Sequence, residues 1–324
     1  MTNRYSRQIA VPEIGSAGQA RVERSSVLVI GAGGLGTMVL QYLNAAGVGC
    51  ITIVDHDRVE ESNLHRQPLF RMCNLGALKA NAARDALLET NPQTRIETVS
   101  EALTPANVAA LVARADVVVD AADSFAVTYT LSDECRRVGK ALVSASVLGL
   151  SGYVGAFCGT APSYRAVFPE MPQRAGTCAQ AGVLGTAVGV MGSLQAHITL
   201  SMILELEPSA LGQLVSVDFT SLHFGGFRFM GAQEPDPETT LRFIAPSELS
   251  AKDTAVDLRT PAEIAAAPFS STLCMTVDQV AEAELSLHRS ERVVLCCRSG
   301  VRAWRAARIL QTRGYHNLAL IAFG

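Results

Sequence analysis

Val27-Leu28-Val29-Ile30-Gly31-Ala32-Gly33-Gly34-Leu35-Gly36 opens the stretch that decides the fold, and Ile51-Thr52-Ile53-Val54-Asp55 closes it. Four apolar residues running into G-x-G-x-x-G predict a buried strand followed by a tight turn. An apolar-periodic segment continues to Gly47-Val48-Gly49, and a second apolar run ends on Asp55, so the order is strand, turn, helix, strand. The glycines let the chain turn, let backbone amides approach a phosphate and let the helix pack closely on the sheet. The helix N-terminus supplies partial positive charge for the anion, and an acid at the end of the second strand can accept hydrogen bonds from ribose hydroxyls. Gly31, Gly33, Gly34, Gly36 and Asp55 are therefore candidate nucleotide-binding residues.

Outward from this unit, strand and helix patterns alternate. Residues 76–90 have helical apolar spacing and stop at Asn91-Pro92, which puts Lys79 in a first helical turn, where a cation is locally unfavourable unless an anion is near. Strands are expected at 95–99, 116–120, 141–145 and 152–157, with a helix near 105–113. Alternation of this kind predicts an α/β fold built on a Rossmann-like, doubly wound, mainly parallel sheet. Val117-Val118-Val119 delivers Asp120 and Asp123 to the C-terminal strand ends, where open α/β sheets bind ligands. Asp123 can ligate Mg²⁺, which takes one or two carboxylates plus phosphate oxygens. Asp120 can cap the following turn.

An NAD-dependent oxidoreductase is the default owner of the glycine fingerprint. Asp57, Asn63, Arg66, Gln67 and Lys79, arriving in quick order after Asp55, argue against it. A dinucleotide needs mostly backbone amides, whereas a triphosphate about to be cleaved needs side-chain cations on its leaving group, a need that Arg66 and Lys79 meet.

At 324 residues, 48% hydrophobic and 18% charged, the chain has room for two domains and a large core. A net charge of −3 gives no reason to expect nucleic acid or an anionic membrane surface as partner. Eight cysteines, with no signal-peptide pattern at Met1-Thr2-Asn3-Arg4-Tyr5, predict reduced thiols in a cytoplasmic protein. Residues 175–204 contain no Asp, Glu, Lys or Arg, but Gln180, Gln195, His197 and glycines at 182, 185, 189 and 192 favour a helix buried in protein over a membrane span.

Arg4-Tyr5-Ser6-Arg7-Gln8, the glycine motif, Ser62-Asn63-Leu64-His65-Arg66-Gln67, Lys79 and Asp120-Ala121-Ala122-Asp123 stand in the order seen in the MoeB/ThiF adenylating enzymes, relatives of the ubiquitin-activating enzymes. Cys178-Ala179-Gln180-Ala181-Gly182-Val183-Leu184-Gly185 and Gly192-Ser193-Leu194-Gln195-Ala196 extend the resemblance over roughly residues 1 to 230. The resemblance implies that Asp55, Asp57, Asn63, Arg66 and Lys79 hold ATP, that Asp123 serves its Mg²⁺, and that Arg66 and Asp123 act in catalysis. It also implies that Arg7 reaches the ATP phosphates of a neighbouring subunit, hence a homodimer. Where the family usually has Asn after the aspartate and Arg a few residues on, this chain has Ser124 and Thr128. Family members commonly hold structural zinc with two C-x-x-C pairs; Ser163 and Ala166 occupy the first, and Gln233-Glu234-Pro235-Asp236-Pro237 contains no cysteine, so no zinc is expected. Cys178 matches a cysteine that some members use to hold their protein substrate through a covalent sulfur link. A buried packing role for it stays equally open.

A polar, proline-containing linker is expected at 231–245 between an adenylating domain at 1–230 and a small α/β domain at 246–324. Ala255-Val256-Asp257-Leu258-Arg259-Thr260-Pro261-Ala262-Glu263 and Val293-Val294-Leu295-Cys296-Cys297-Arg298-Ser299-Gly300-Val301-Arg302 resemble a short rhodanese domain. A cysteine in such a loop, at a helix N-terminus and near Arg298 and Arg302, is expected to be acidic and nucleophilic, which makes Cys297 the candidate persulfide carrier and Cys296 a packing residue. Ala265-Ala266-Ala267-Pro268-Phe269-Ser270 lacks the Gly-His-Ile-Pro-Gly type of stretch usual in rhodaneses. The resemblance implies an enzyme that adenylates a small ubiquitin-like sulfur carrier ending in Gly-Gly and gives it sulfur supplied by a persulfide donor such as a cysteine desulfurase. A nucleotide-binding scaffold with a non-catalytic docking domain is the alternative, and an NAD-dependent oxidoreductase the weaker third.

Overall fold

The computed structural model describes residues 4–172, 182–269, 273–282 and 291–324. Eight strands form the larger sheet: β1 (Ser26–Ile30), β2 (Cys50–Val54), β3 (Arg95–Val99), β4 (Val117–Asp120), β5 (Ala141–Leu148), β6 (Ser151–Cys158), β7 (Gln213–Asp218) and β8 (His223–Arg228). Their order is β3-β2-β1-β4-β5-β6-β7-β8. The first five are mutually parallel and the last three run antiparallel. Strand order reverses direction at β1, whose neighbours are β2 and β4, and ligands bind at such a switch point beyond the strand C-termini. The register sets Ile30 against Asp120, so the glycine turn and the loop bearing Asp123 leave the sheet side by side.

Apolar runs at Leu28, Val29, Val118 and Val119 are buried because helices cover both faces of the parallel half. The Gly34–Ala46 helix starts inside the glycine motif and ends at Gly47, whose φ of 86° supplies the left-handed C-cap. Among the described residues one helix, Gly185–Leu204, is long and apolar enough to cross a membrane. Ala187, Met191, Gln195 and Thr199 are buried on it, against the Gly34–Ala46 helix and strands β5 and β6.

A second sheet holds β9 (Arg242–Phe243), β10 (Thr254–Asp257), β11 (Leu273–Cys274), β12 (Val293–Cys297) and β13 (Leu318–Ala322), all parallel, in the order β11-β10-β12-β13-β9. The linker expected at 231–245 is thus too long. Leu241 and Phe243 are buried and β9 is the edge strand of the second sheet. A two-residue strand beside a polar run leaves no periodicity to read.

The two sheets share one apolar core. Tyr129 of the Phe125–Val138 helix meets Trp304 of the Val301–Thr312 helix with ring centroids 5.2 Å apart. Trp304 Nε1 donates to Glu170 at 3.3 Å, and the Arg308 guanidinium pairs with Glu170 at 2.6 Å. At Gly300 of the Cys297–Arg302 loop a methyl group would lie 2.7 Å from the Phe243 ring of β9 and 3.4 Å from Ala126 of the first half.

Candidate functional site

Gly31 adopts φ 95°, which a side chain disfavours, and a methyl group at Gly36 would lie 1.9 Å from the Gly31 carbonyl oxygen. The turn therefore closes tightly, with the helix N-terminus seated on it. Gly33 faces open space, met only by Gln67 Nε2 at 3.8 Å, so a phosphate can approach the backbone there. Asp55 holds this geometry: Oδ2 accepts from the Ala32 amide at 2.7 Å and Oδ1 from the Asp57 amide at 2.8 Å. A carboxylate has about four acceptor sites, so two remain for ribose hydroxyls.

Asn63 and Arg66 lie on the loop that covers the turn. A methyl group at Gly34 would lie 3.6 Å from Arg66 Cγ, and one at Gly185 would lie 2.4 Å from the His65 carbonyl oxygen. The 62–67 loop is thereby wedged between two helix N-termini, each carrying partial positive charge. Arg66 Nη1 donates to Ser62 O at 3.2 Å, and Asn63 Nδ2 donates to Ser62 Oγ at 3.1 Å. Gln67 is buried and its Oε1 has no hydrogen-bond partner among the described residues.

Lys79 opens the Lys79–Thr90 helix as expected, but it is buried and its Nζ pairs with Asp57 Oδ2 at 2.8 Å. An Arg58–Leu78 bridge brings the two together, and the Lys79 amide donates to Asp57 O at 2.9 Å. Asp57 therefore aims the lysine. Asp55, His56 and Asp57 bring ligand atoms within 4.8 Å of one another, with Asp55 accepting from two backbone amides and Asp57 paired with Lys79. Asp123 is exposed at the C-terminal end of β4. One accessible carboxylate beside a phosphate-binding turn fits Mg²⁺, which draws its other ligands from phosphate and water.

With this geometry in view, a ThiF family model matches residues 5–241. The chain belongs to the ThiF family. It is 41% identical over 229 residues to the "Adenylyltransferase and sulfurtransferase MOCS3" of Drosophila grimshawi, covering 69% of this chain and 51% of that protein. It is 44% identical over 218 residues to the Bos taurus protein of the same name, covering 66% and 48%. The chain thus spans about half the length of the curated relatives it matches. Among solved structures, E. coli MccB with ATP superposes with a TM-score of 0.60 at 21% identity, covering 71% of this chain and 72% of that one. PaaA gives a TM-score of 0.60 at 20% identity, covering 70% and 72%. At that identity the likeness is one of fold.

Arg7, Cys178 and Ser163 complete the positions singled out in the sequence. Arg7 is exposed on the Ser6–Ile9 helix and is not brought to the site of its own chain. Its neighbours anchor the arm at the opposite end of the sheet: Gln8 Nε2 donates to Ala46 O at 3.2 Å, and Arg4 Nη1 to Thr90 O at 2.9 Å. Cys178 lies outside the described residues. The two stretches read from the sequence as lacking zinc cysteines meet through hydrogen bonds: Glu234 accepts from Ser163 Oγ at 2.6 Å and from the Ser163 amide at 2.7 Å. Glu234→Ala would leave the Ser163 hydroxyl proton and amide without their acceptor and is expected to cost about 1–3 kcal/mol of stability, measurable by urea unfolding.

Cys297 corrects one expectation. Its sulfur does sit in a ring of amides, accepting from Gly300 at 3.1 Å and Ala303 at 3.4 Å. It is nevertheless fully buried, and burial pushes the thiol above its usual range despite those amides and the Arg302 charge. Arg302 shares its guanidinium with Glu263 at 2.7 Å and Leu258 O at 3.0 Å, and burial outweighs what its charge contributes at the sulfur. The expected acidic thiol is therefore not what this docked arrangement gives.

Asp120 was legible only as a turn cap, which it is, accepting from the Ala122 amide at 3.2 Å. It is also fully buried, and burial pushes its carboxyl up to about 6, held back by hydrogen bonds from Thr128 and Ser144. An acid whose folded value exceeds its unfolded one stabilises the fold most at low pH, and that stabilisation is lost as pH rises from the unfolded value through the folded one. Asp120→Asn, which cannot ionise, is thus expected to unfold at a higher temperature than the parent near pH 8 and to lose that advantage near pH 4, as calorimetry at both values would read.

Proposed function

We propose that this chain activates the C-terminal carboxylate of a small ubiquitin-like sulfur carrier with ATP and then replaces the adenylate by sulfur. What carries this reading is a buried lysine tied to the glycine turn, Lys79 paired with Asp57, whose amide donates to the Asp55 that also accepts from Ala32; the Arg66 stem packs over Gly34. The carrier carboxylate attacks the α-phosphorus, the bond to the bridging oxygen breaks, and pyrophosphate leaves with the electron pair. Lys79 and Arg66 stabilise the charge that grows on it. Asp55 holds the ribose, Asn63 lines the covering loop, and Asp123 would hold Mg²⁺, which when bound neutralises phosphate charge.

The sulfur half rests on the Cys297–Arg302 loop, which we read as rhodanese-like. The outer sulfur of a Cys297 persulfide, loaded by a donor such as a cysteine desulfurase, attacks the acyl-adenylate and releases AMP. The resulting acyl disulfide yields the thiocarboxylate when a second thiol attacks the Cys297 sulfur, leaving a disulfide for an external dithiol to reduce. Cys178 is the in-chain candidate for holding the carrier. A homodimer completes the site by bringing Arg7 from the neighbouring chain. It is supported by the exposed Tyr42, Leu184 and Val190, beside a groove lined by Met38, Gly189 and Leu194. Free thiols suit a reducing, cytoplasmic setting.

Incubation with ATP, a Gly-Gly-ended carrier and a persulfide donor tests the whole sequence. The expected products are AMP and a carrier in which sulfur replaces one carboxylate oxygen, read by mass spectrometry. AMP release without sulfur incorporation would reduce the second sheet to a docking module. Elemental analysis of the same preparation is expected to find no stoichiometric zinc.

A further inference from the structure

A carboxylate in a protein interior is costly unless its oxygens are hydrogen-bonded, and Asp120 is 1% exposed. Its partners come from four separate elements. Thr128 Oγ1 on the Phe125–Val138 helix donates to Oδ2 at 2.7 Å, Ser144 Oγ on β5 donates to the same oxygen at 2.8 Å, and the Ala122 amide of the following loop reaches Oδ1 at 3.2 Å. Gln195 Nε2, on the Gly185–Leu204 helix, donates to the Asp120 carbonyl at 2.6 Å and to Val143 O at 3.1 Å. The next residue is fixed too: the Ala121 amide donates to Ile30 O at 2.9 Å, and a methyl group at Gly31 would lie 2.7 Å from Ala121 O. The glycine turn and the loop carrying Asp123 thus run against each other without slack.

We propose that Asp120 is a positioning residue that holds the 121–124 loop, and with it Asp123, against the glycine turn. The inference rests on the reading that Asp123 serves magnesium and ATP. Thr128 belongs to the same device, because its hydroxyl grips Asp120 Oδ2 at 2.7 Å from the helix that follows the loop. Asp120→Ala strands the Ala122 amide and frees the loop. Asp120→Asn keeps the grip: its oxygen accepts from Ala122, and its amino group donates to the Thr128 and Ser144 oxygens once those hydroxyls turn.

Calorimetric binding of a non-hydrolysable ATP analogue to the full chain, with and without Mg²⁺, tests this. In the parent, Mg²⁺ strengthens binding. Asp120→Ala is expected to lose about tenfold of that strengthening, as is Asp123→Ala, and the double variant is expected to lose no more than either single one, because both act through one group. Asp120→Asn should stay within about threefold of the parent. Should Asp120→Ala fail to fold, the nearly isosteric Thr128→Val carries the test, with about a two- to fivefold loss of the Mg²⁺ effect and unchanged binding without Mg²⁺. A full Mg²⁺ effect in Thr128→Val and in Asp120→Ala, beside a lost one in Asp123→Ala, overturns the positioning role alone. So do losses that multiply in the double variant. A full Mg²⁺ effect in Asp123→Ala overturns the Asp123 assignment and the proposal with it.

Discussion

Lys79→Met is expected to lower carrier-dependent pyrophosphate exchange by on the order of a hundredfold or more while leaving the fold intact. Burying an ammonium is expensive unless it is paired, and buried Lys79 pairs with Asp57 at 2.8 Å. The Asp57 side chain is 56% exposed, so removing the lysine strands no buried charge, and water takes over the carboxylate. Lost exchange with an unchanged unfolding midpoint therefore isolates the cation's work on the leaving group. Asp57→Asn is expected to fall between parent and Lys79→Met, since the ammonium would remain but no longer be aimed. Exchange at the parental rate in Lys79→Met would remove the lysine from the site.

Cys297→Ala is expected to keep full pyrophosphate exchange and to lose thiocarboxylate formation from a protein persulfide donor, because in the proposed sequence sulfur enters only after the adenylate exists. The same cysteine should be slow toward brief alkylation at neutral pH. Cys73 and Cys274 are exposed and are expected to react first, whereas Cys297 is closed in by its own loop and by the contacts of Gly300 with Phe243 and Ala126. Glu170→Ala, which releases Trp304 and Arg308, should loosen that docking, speed Cys297 alkylation and shift the emission of the chain's single tryptophan to the red. Alkylation of Cys297 as fast as Cys73 in the parent protein would contradict the docked arrangement. Thiocarboxylate formation by Cys297→Ala at the parental rate would leave the second sheet as a docking module.

What the sequence made legible follows the range of the interactions concerned. The glycine turn, Asp55 and the start of the Lys79–Thr90 helix are local features, written as spacing and periodicity within a few tens of residues. The Lys79–Asp57 pair was hidden because it depends on the Arg58–Leu78 bridge, although both residues had been singled out. At Cys297 the ring of amides was readable from a six-residue loop, but the thiol's acidity was not: burial opposes it, in a core cluster that draws on Phe243 and Ala126, far off in the chain. Ser144 and Gln195 escaped notice because a serine on a strand and a glutamine on an apolar helix advertise nothing until they meet Asp120. Likewise Ser163 and Glu234 read as missing cysteines, and only the fold joins them.

In the proposed function, the cations around the glycine turn serve adenylation of a carrier's C-terminus. Isotope exchange between pyrophosphate and ATP, with the purified chain, Mg²⁺ and a Gly-Gly-ended carrier, tests it most directly. Exchange that requires the intact carrier, vanishes when its terminal glycines are removed and is lost in Lys79→Met is the predicted result. No exchange with any ubiquitin-like carrier ending in Gly-Gly, from a protein that binds NAD in preference to Mg-ATP, would contradict it.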